Sequence, residues 1–246
     1  MEKTLAKGRI ERANTYLVVP HLNEEVRFSY PGQGPDNYCA VGYSILDKEL
    51  TLPDGWQTAS LLNEVYCSEN PEFKDSPEAN IIRNGVMNKR WLWVFNRNLW
   101  TPKSAKNAGV YVQSDSQGKG MSEILKISDL EDALSSGKTE KGVRFSEDGL
   151  TAFAPYNTMQ AGSHAKGTLA KNGFVLASYG VEGAEKLDNV AKTFAAKPYV
   201  WLIDNAGDKP IQSLSALDGG WGGDGRLDVI GYVGGIYRVG FAFGVS

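Results

Sequence analysis

Apolar residues recur along this chain in two periods, and those periods predict its elements. Residues 15–19 (TYLVV) and 26–30 (VRFSY) read as strands. Pro20 stops the first, and Pro31-Gly32-Gln33-Gly34-Pro35 after the second predicts a loop by its backbone chemistry. Leu61, Leu62, Val65 and Tyr66 repeat at helical spacing, which predicts a helix over 56–66 capped by Asp54. A polar stretch follows Pro71. The most apolar part, 91–95 with Leu99 and Trp100, is dense in β-formers and predicts a central strand. Residues 110–112 form another.

Ser128 and Glu131 have capping-box spacing before Leu130, Ala133 and Leu134, with Gly137 placed to end the helix. Residues 143–145 and 151–153 flank Ser146-Glu147-Asp148-Gly149 as a hairpin. Residues 174–177 read as a strand, and 181–195 as a helix with Val181, Ala184, Leu187, Ala191 and Phe194 on one face, closed by Pro198. Residues 199–203 read as a buried strand. There is no internal repeat and no linker, so one α+β domain over 1–246 is the economical architecture.

Composition narrows the function classes. A 41% hydrophobic and 22% charged chain is not disordered. The net charge of −3 is scattered, and no basic run is longer than Asn88-Lys89-Arg90, which argues against nucleic acid as a partner. The beginning of the sequence has no apolar signal core, and no apolar run has the length of a membrane span. The expectation is therefore no membrane insertion, and a soluble, cytoplasmic product as synthesised, with its final compartment unknown. Six Trp supply large packing groups or a binding face. Cys39 and Cys67 could form one bridge; two separate buried thiols is the reading favoured by how often free Cys is core.

Candidate chemistry is sparse. His21 and His164 lie outside every standard metal motif, so no metal, cofactor or catalytic residue is expected. Ser163 and His164 are adjacent in a Gly-rich loop, and adjacent residues rarely aim at each other. Gly180-Val181-Glu182-Gly183 lacks the dinucleotide fingerprint and reads as a tight strand-to-helix turn.

The segment 214–246 is different. It is rich in Gly, and no Lys, Glu, Gln or Met occurs after Gln212. Leu217, Trp221 and Leu227 can anchor it, and 240–245 alternates like a closing strand. Between these lie glycines interspersed with Asp, Arg, Ile, Val and Tyr, a poor core but a workable surface.

Gly219-Gly220-Trp221, the following Arg226 and the closing Gly-Phe-x-x-Gly-Val pattern at 240–245 resemble the C-terminal end of C-type lectin-fold proteins. These include the formylglycine-generating enzyme type and the variable proteins of diversity-generating retroelements. In the variable proteins, adenine replacement in pyrimidine-ending Asn codons yields Gly, Asp, Ser, Tyr, Ile, Val, Arg and others, but never Lys, Glu, Gln or Met. Residues 219–238 obey that rule apart from Trp221, which would be a scaffold position. The resemblance covers about the last thirty residues.

It implies a C-type lectin-like α+β fold with a ligand-binding region at about 214–246. The implied contact residues are Gly220, Trp221, Gly222, Gly223, Asp224, Arg226, Asp228, Ile230, Tyr232, Ile236, Tyr237 and Arg238. Tyr and Trp would give contact area and Asp and Arg selectivity, toward a protein or surface-polymer ligand. The calcium-binding Glu-Pro-Asn and Trp-Asn-Asp motifs are missing, and no paired active-site cysteines lie near this end. Two other classes stay open: an enzyme with a pocket outside this region, and a structural or assembly protein, for example of a virus particle.

Overall fold

In the computed structural model, which describes residues 7–11, 16–220 and 223–246, a three-stranded sheet comes first. β1 (Arg9–Glu11), β2 (Tyr16–His21) and β3 (Glu24–Ser29) are antiparallel in that order. β2 continues through Pro20, because β1 pairs only as far as Val18 and leaves the nitrogen of Pro20 without a ladder partner to serve. Thr15 lies outside the described residues.

The Pro/Gly cluster is not all loop: β4 (Gln33–Asp36) lies within it. α1 (Tyr38–Leu46), capped by Asn37, had no clear sequence signal. α2 (Gly55–Cys67) begins at a true capping box, with Asp54 and Gln57 satisfying each other's backbone N–H. α3 (Pro71–Lys74) and α4 (Pro77–Ile81) run into a π-helical turn, Ile82–Met87.

The large sheet is built on β5 (Trp91–Trp100). On one side lie β6 (Gly109–Ser114), β9 (Thr151–Pro155), β8 (Val143–Phe145) and β7 (Lys138–Glu140). On the other lie β12 (Ile211–Asp218), β13 (Asp228–Val233), β11 (Tyr199–Trp201) and the edge strand β10 (Gly162–Ser163). β14 (Gly240–Ala242) joins β4 to the start of β5. The expected hairpin is β8–β9, with Arg144 opposite Phe153.

Two helices differ from the sequence expectation. α5 (Ile127–Leu134) starts after Lys126 with no side-chain cap; Ser128 donates to Asp129 instead, and Glu131 turns to Arg144, Tyr111 and Asn107. Gly137 is placed two residues beyond the cap, Ser135, and does not itself end the helix. Residues 174–177 are not a strand but the first turns of α6 (Gly173–Thr193), capped by Asn172. That stretch is buried all round, and a short apolar run does not reveal its period. Gly180-Val181-Glu182-Gly183 is accordingly a kink between two helical pieces, with Gly180 at φ +66°.

Alternation along β5 separates two cores. Leu92 and Val94 face α2 and α6; Trp93 and Phe95 face α1 with Tyr38, Val41, Ile45, Leu214, Ala216 and Ile230. A third cluster, with Leu99, Tyr111, Leu130 and Phe153, sits under α5. Both cysteines are free and half-buried. No helix among the described residues is long and apolar enough to cross a membrane.

Candidate functional site

Register across three strands builds the site. Tyr199 of β11 pairs with Asp228 of β13, which pairs with Asp218 of β12. One row on, Trp201 pairs with Ile230, and Ile230 with Ala216. Because side chains alternate, Asp228, Ile230 and Tyr232 share the face away from α6 with Tyr199 and Trp201. Val229 and Gly231 point the other way; a Cβ on Gly231 would stand 2.5 Å from the Phe174 ring.

Strand β13 hands the chain to an exposed tip. Ile236 is 80% exposed, Tyr237 53% and Tyr232 47%, among the largest apolar exposures of the described residues. The Tyr237 ring meets Trp91 edge-on at 5.3 Å, and Trp91 meets Trp93 at 5.5 Å. A hollow of about 380 Å³ lies between Trp91, Ile230, Tyr232, Ile236 and Tyr237. Arg238 is exposed, with Nε 3.8 Å from Asp36. On the other side of Tyr232, a hollow of about 480 Å³ is lined by Tyr199, Trp201, Ile203 and Asp204. The Trp201 and Tyr232 rings stand 6.2 Å apart between the two.

The turn from β12 to β13 is tied at its base. The N–H of Gly219 donates to Met87 O at 2.7 Å, and that of Gly220, at φ +95°, to Asp218 Oδ1 at 2.8 Å. Gly223 donates to Gly220 O. Arg226 Nε donates to Asp228 Oδ1 at 2.8 Å, and its Nη2 lies 3.2 Å from Asp224 Oδ2. The same guanidinium lies 4.6 Å over the Tyr199 ring and 5.9 Å from that of Trp201. Burial, and then the like charge of Asp218, push the Asp228 carboxyl up to about 6 against the pull of Arg226.

Of the residues expected from sequence, Asp224, Arg226, Asp228, Tyr232, Ile236, Tyr237 and Arg238 fall on or beside this face. Ile230 is on it but buried, as the floor of a hollow. Gly220 and Gly223 shape the turn, while Trp221 and Gly222 lie outside the described residues. Sequence reasoning missed Trp91, Tyr199, Trp201 and Asp218. A signal existed for two of these: Tyr199-Val200-Trp201 in a strand puts both aromatics on one side.

Away from this face, His164 is buried at a hollow of about 530 Å³ with Ser163, Lys171 and Asn172. Its Nε2 is engaged by Gln160 O at 3.0 Å, so the imidazole holds a loop together. The described residues contain no group of three or more His, Cys, Asp or Glu arranged to hold a metal ion.

The fold is the C-type lectin fold, in its α+β form. The chain aligns with a solved structure from work on the accommodation of massive sequence variation in Nanoarchaeota by the C-type lectin fold. The alignment has a TM-score of 0.53, covering 86% of this chain and 94% of that one, at 13% identity. No protein-family model and no curated protein matches the sequence.

Proposed function

We propose that this chain is a ligand-binding protein of the variable-protein type made by diversity-generating retroelements. Its binding face is the surface built from β11, β13 and the turns on either side of β13. The observation that carries the proposal is a coincidence of two independent patterns. The run 219–238, read from composition as one drawn sample of adenine-derived codons, also supplies an exposed aromatic and charged surface on a C-type lectin fold. Tyr232, Ile236 and Tyr237 supply contact area, with Trp91, Tyr199 and Trp201 as a fixed aromatic base. Asp224, Arg226, Asp228 and Arg238 supply selectivity toward a protein or surface-polymer ligand. In this reading the face binds and performs no chemistry.

The test is deep sequencing of the 3′ end of the gene in its native population, together with its locus. We expect adenine-derived substitutions at Asp224, Arg226, Tyr232, Ile236, Tyr237 and Arg238, beside a near-identical template repeat. Leu227, Val229, Gly231 and Val233 should be constant, because their side chains, or the space a side chain would need, belong to the core. A uniform sequence without a template overturns the diversified reading.

A further inference from the structure

Arg226 is bound by its own chain in the way a ligand cation would be. One carboxylate takes its Nε at 2.8 Å, a second lies 3.2 Å from Nη2, and an aromatic ring lies 4.6 Å beneath the guanidinium plane's carbon. We propose that Tyr199, Trp201 and Asp228 form a guanidinium cradle that Arg226 fills from within, and that the cradle accepts an arginine of a protein ligand when position 226 carries another side chain.

The cradle is set by the sheet rather than by the turn. Tyr199 and Trp201 stand on β11, outside 219–238, and pairing with Asp228 and Ile230 fixes their place. Their rings are 4.3 Å apart, a continuous π surface for a flat cation. Asp228 is 8% exposed, so its charge is little screened, and Asp218 across the ladder adds a second negative charge. A weakly hydrated, planar guanidinium suits such a partly dry site better than an ammonium does. The hollow beside Tyr199, Trp201 and Tyr232 offers a route for an incoming side chain, with Asp204 at its wall. In this arrangement residue 226 decides specificity: Arg closes the cradle, and a small or neutral residue opens it.

This inference rests on the proposal that the face is a binding surface, but it is tested separately. Wild type and Arg226→Gln are titrated with Nα-acetyl-L-argininamide and with its neutral isostere Nα-acetyl-L-citrullinamide, while the amide signals of residues 199–204 and 226–232 are followed by NMR. Arg226→Gln should bind the arginine probe about tenfold more tightly than the citrulline probe, and wild type should show neither at the same concentrations. Adding Tyr199→Ala to Arg226→Gln should remove the preference.

Should Arg226→Gln fail to fold, Arg226→Ala serves as the background. It leaves Asp228 without its cation and uncovers the Tyr199 ring, and the same preference for arginine is expected. Equal response to both probes, no response, or shifts confined to other residues would overturn the cradle and leave the sequencing result standing. A uniform gene population would overturn diversification and leave these titrations standing.

Discussion

Asp228 and Asp218 are opposite one another on β12 and β13, and this has a consequence at the residue scale that solution measurements can read. Burial and the facing carboxylate hold the Asp228 pKa at about 6, above the ordinary aspartate value of 3.8. The folded chain therefore keeps this proton where the unfolded chain has released it, so this group's contribution to stability is full below pH 4 and is lost as pH rises through 6. Between pH 5 and pH 7 the loss from this one group is about 1 kcal/mol. Asp228→Asn should flatten that slope. Urea unfolding of both proteins at pH 5 and pH 7 measures it, and parallel slopes would place the proton elsewhere. Arg226 offsets only part of the shift, which is why the pair does not behave as an ordinary surface ion pair.

At the scale of elements, α6 shows both what the sequence makes legible and where it stops. The face marked by Ala184, Leu187 and Ala191 is buried as their spacing predicts. The first turns escape sequence reading because 174–177 is apolar in every direction, which makes 180–183 read as a tight strand-to-helix turn. In fact Gly180 sits at φ +66° against Trp56, whose indole occupies the space a Cβ would need. Gly180→Ala should cost ~3 kcal/mol or more, from strain and steric overlap together. Thermal or urea unfolding measures it, and a loss under about 1 kcal/mol would mean that the kink yields easily.

The candidate site divides in the same way. Its downstream half was legible in the bias of 219–238, because composition survives without knowledge of the fold. Its upstream half was not. Trp91 and Tyr199 reach the face only through β14 lying beside β5 and β11 lying parallel to β13, and a parallel neighbour leaves no mark on local periodicity. Ser128 failed as a cap for a related reason: Glu131 has a stronger partner in Arg144, on a strand that local spacing does not register.

For the whole molecule, the residues that follow β14 close what the first strands open. Ser29 N–H donates to Gly244 O at 2.8 Å, Thr51 and Val245 exchange N–H···O bonds at 2.8 and 2.9 Å, and Ser246 N–H reaches Arg27 O. Phe243 and Val245 are buried in the core shared by α2 and β3. A chain ending at Ala242 should lose about 5 kcal/mol or more, comparable to the total stability of a domain, and fail to melt cooperatively. Calorimetry decides, and a retained sharp transition would show residues 243–246 to be dispensable. The α+β class and the closing strand were legible in sequence. The partners of that strand were not, since they lie about two hundred residues upstream in the chain.

This closure bears on manufacture as well as shape. The ribosome delivers residues 240–246 after the turn between β12 and β13, so the fold is completed only once the whole run has been translated in frame. In the proposed function, an error-prone copy that introduces a stop codon or slips the reading frame anywhere in 219–238 forfeits the strand that locks the two sheets together. Such a product reaches the cell's proteases unfolded, while a copy carrying only substitutions keeps its latch. Under the proposed function the architecture would screen its own repertoire: what survives to display a surface has, by surviving, already passed a test of genetic integrity.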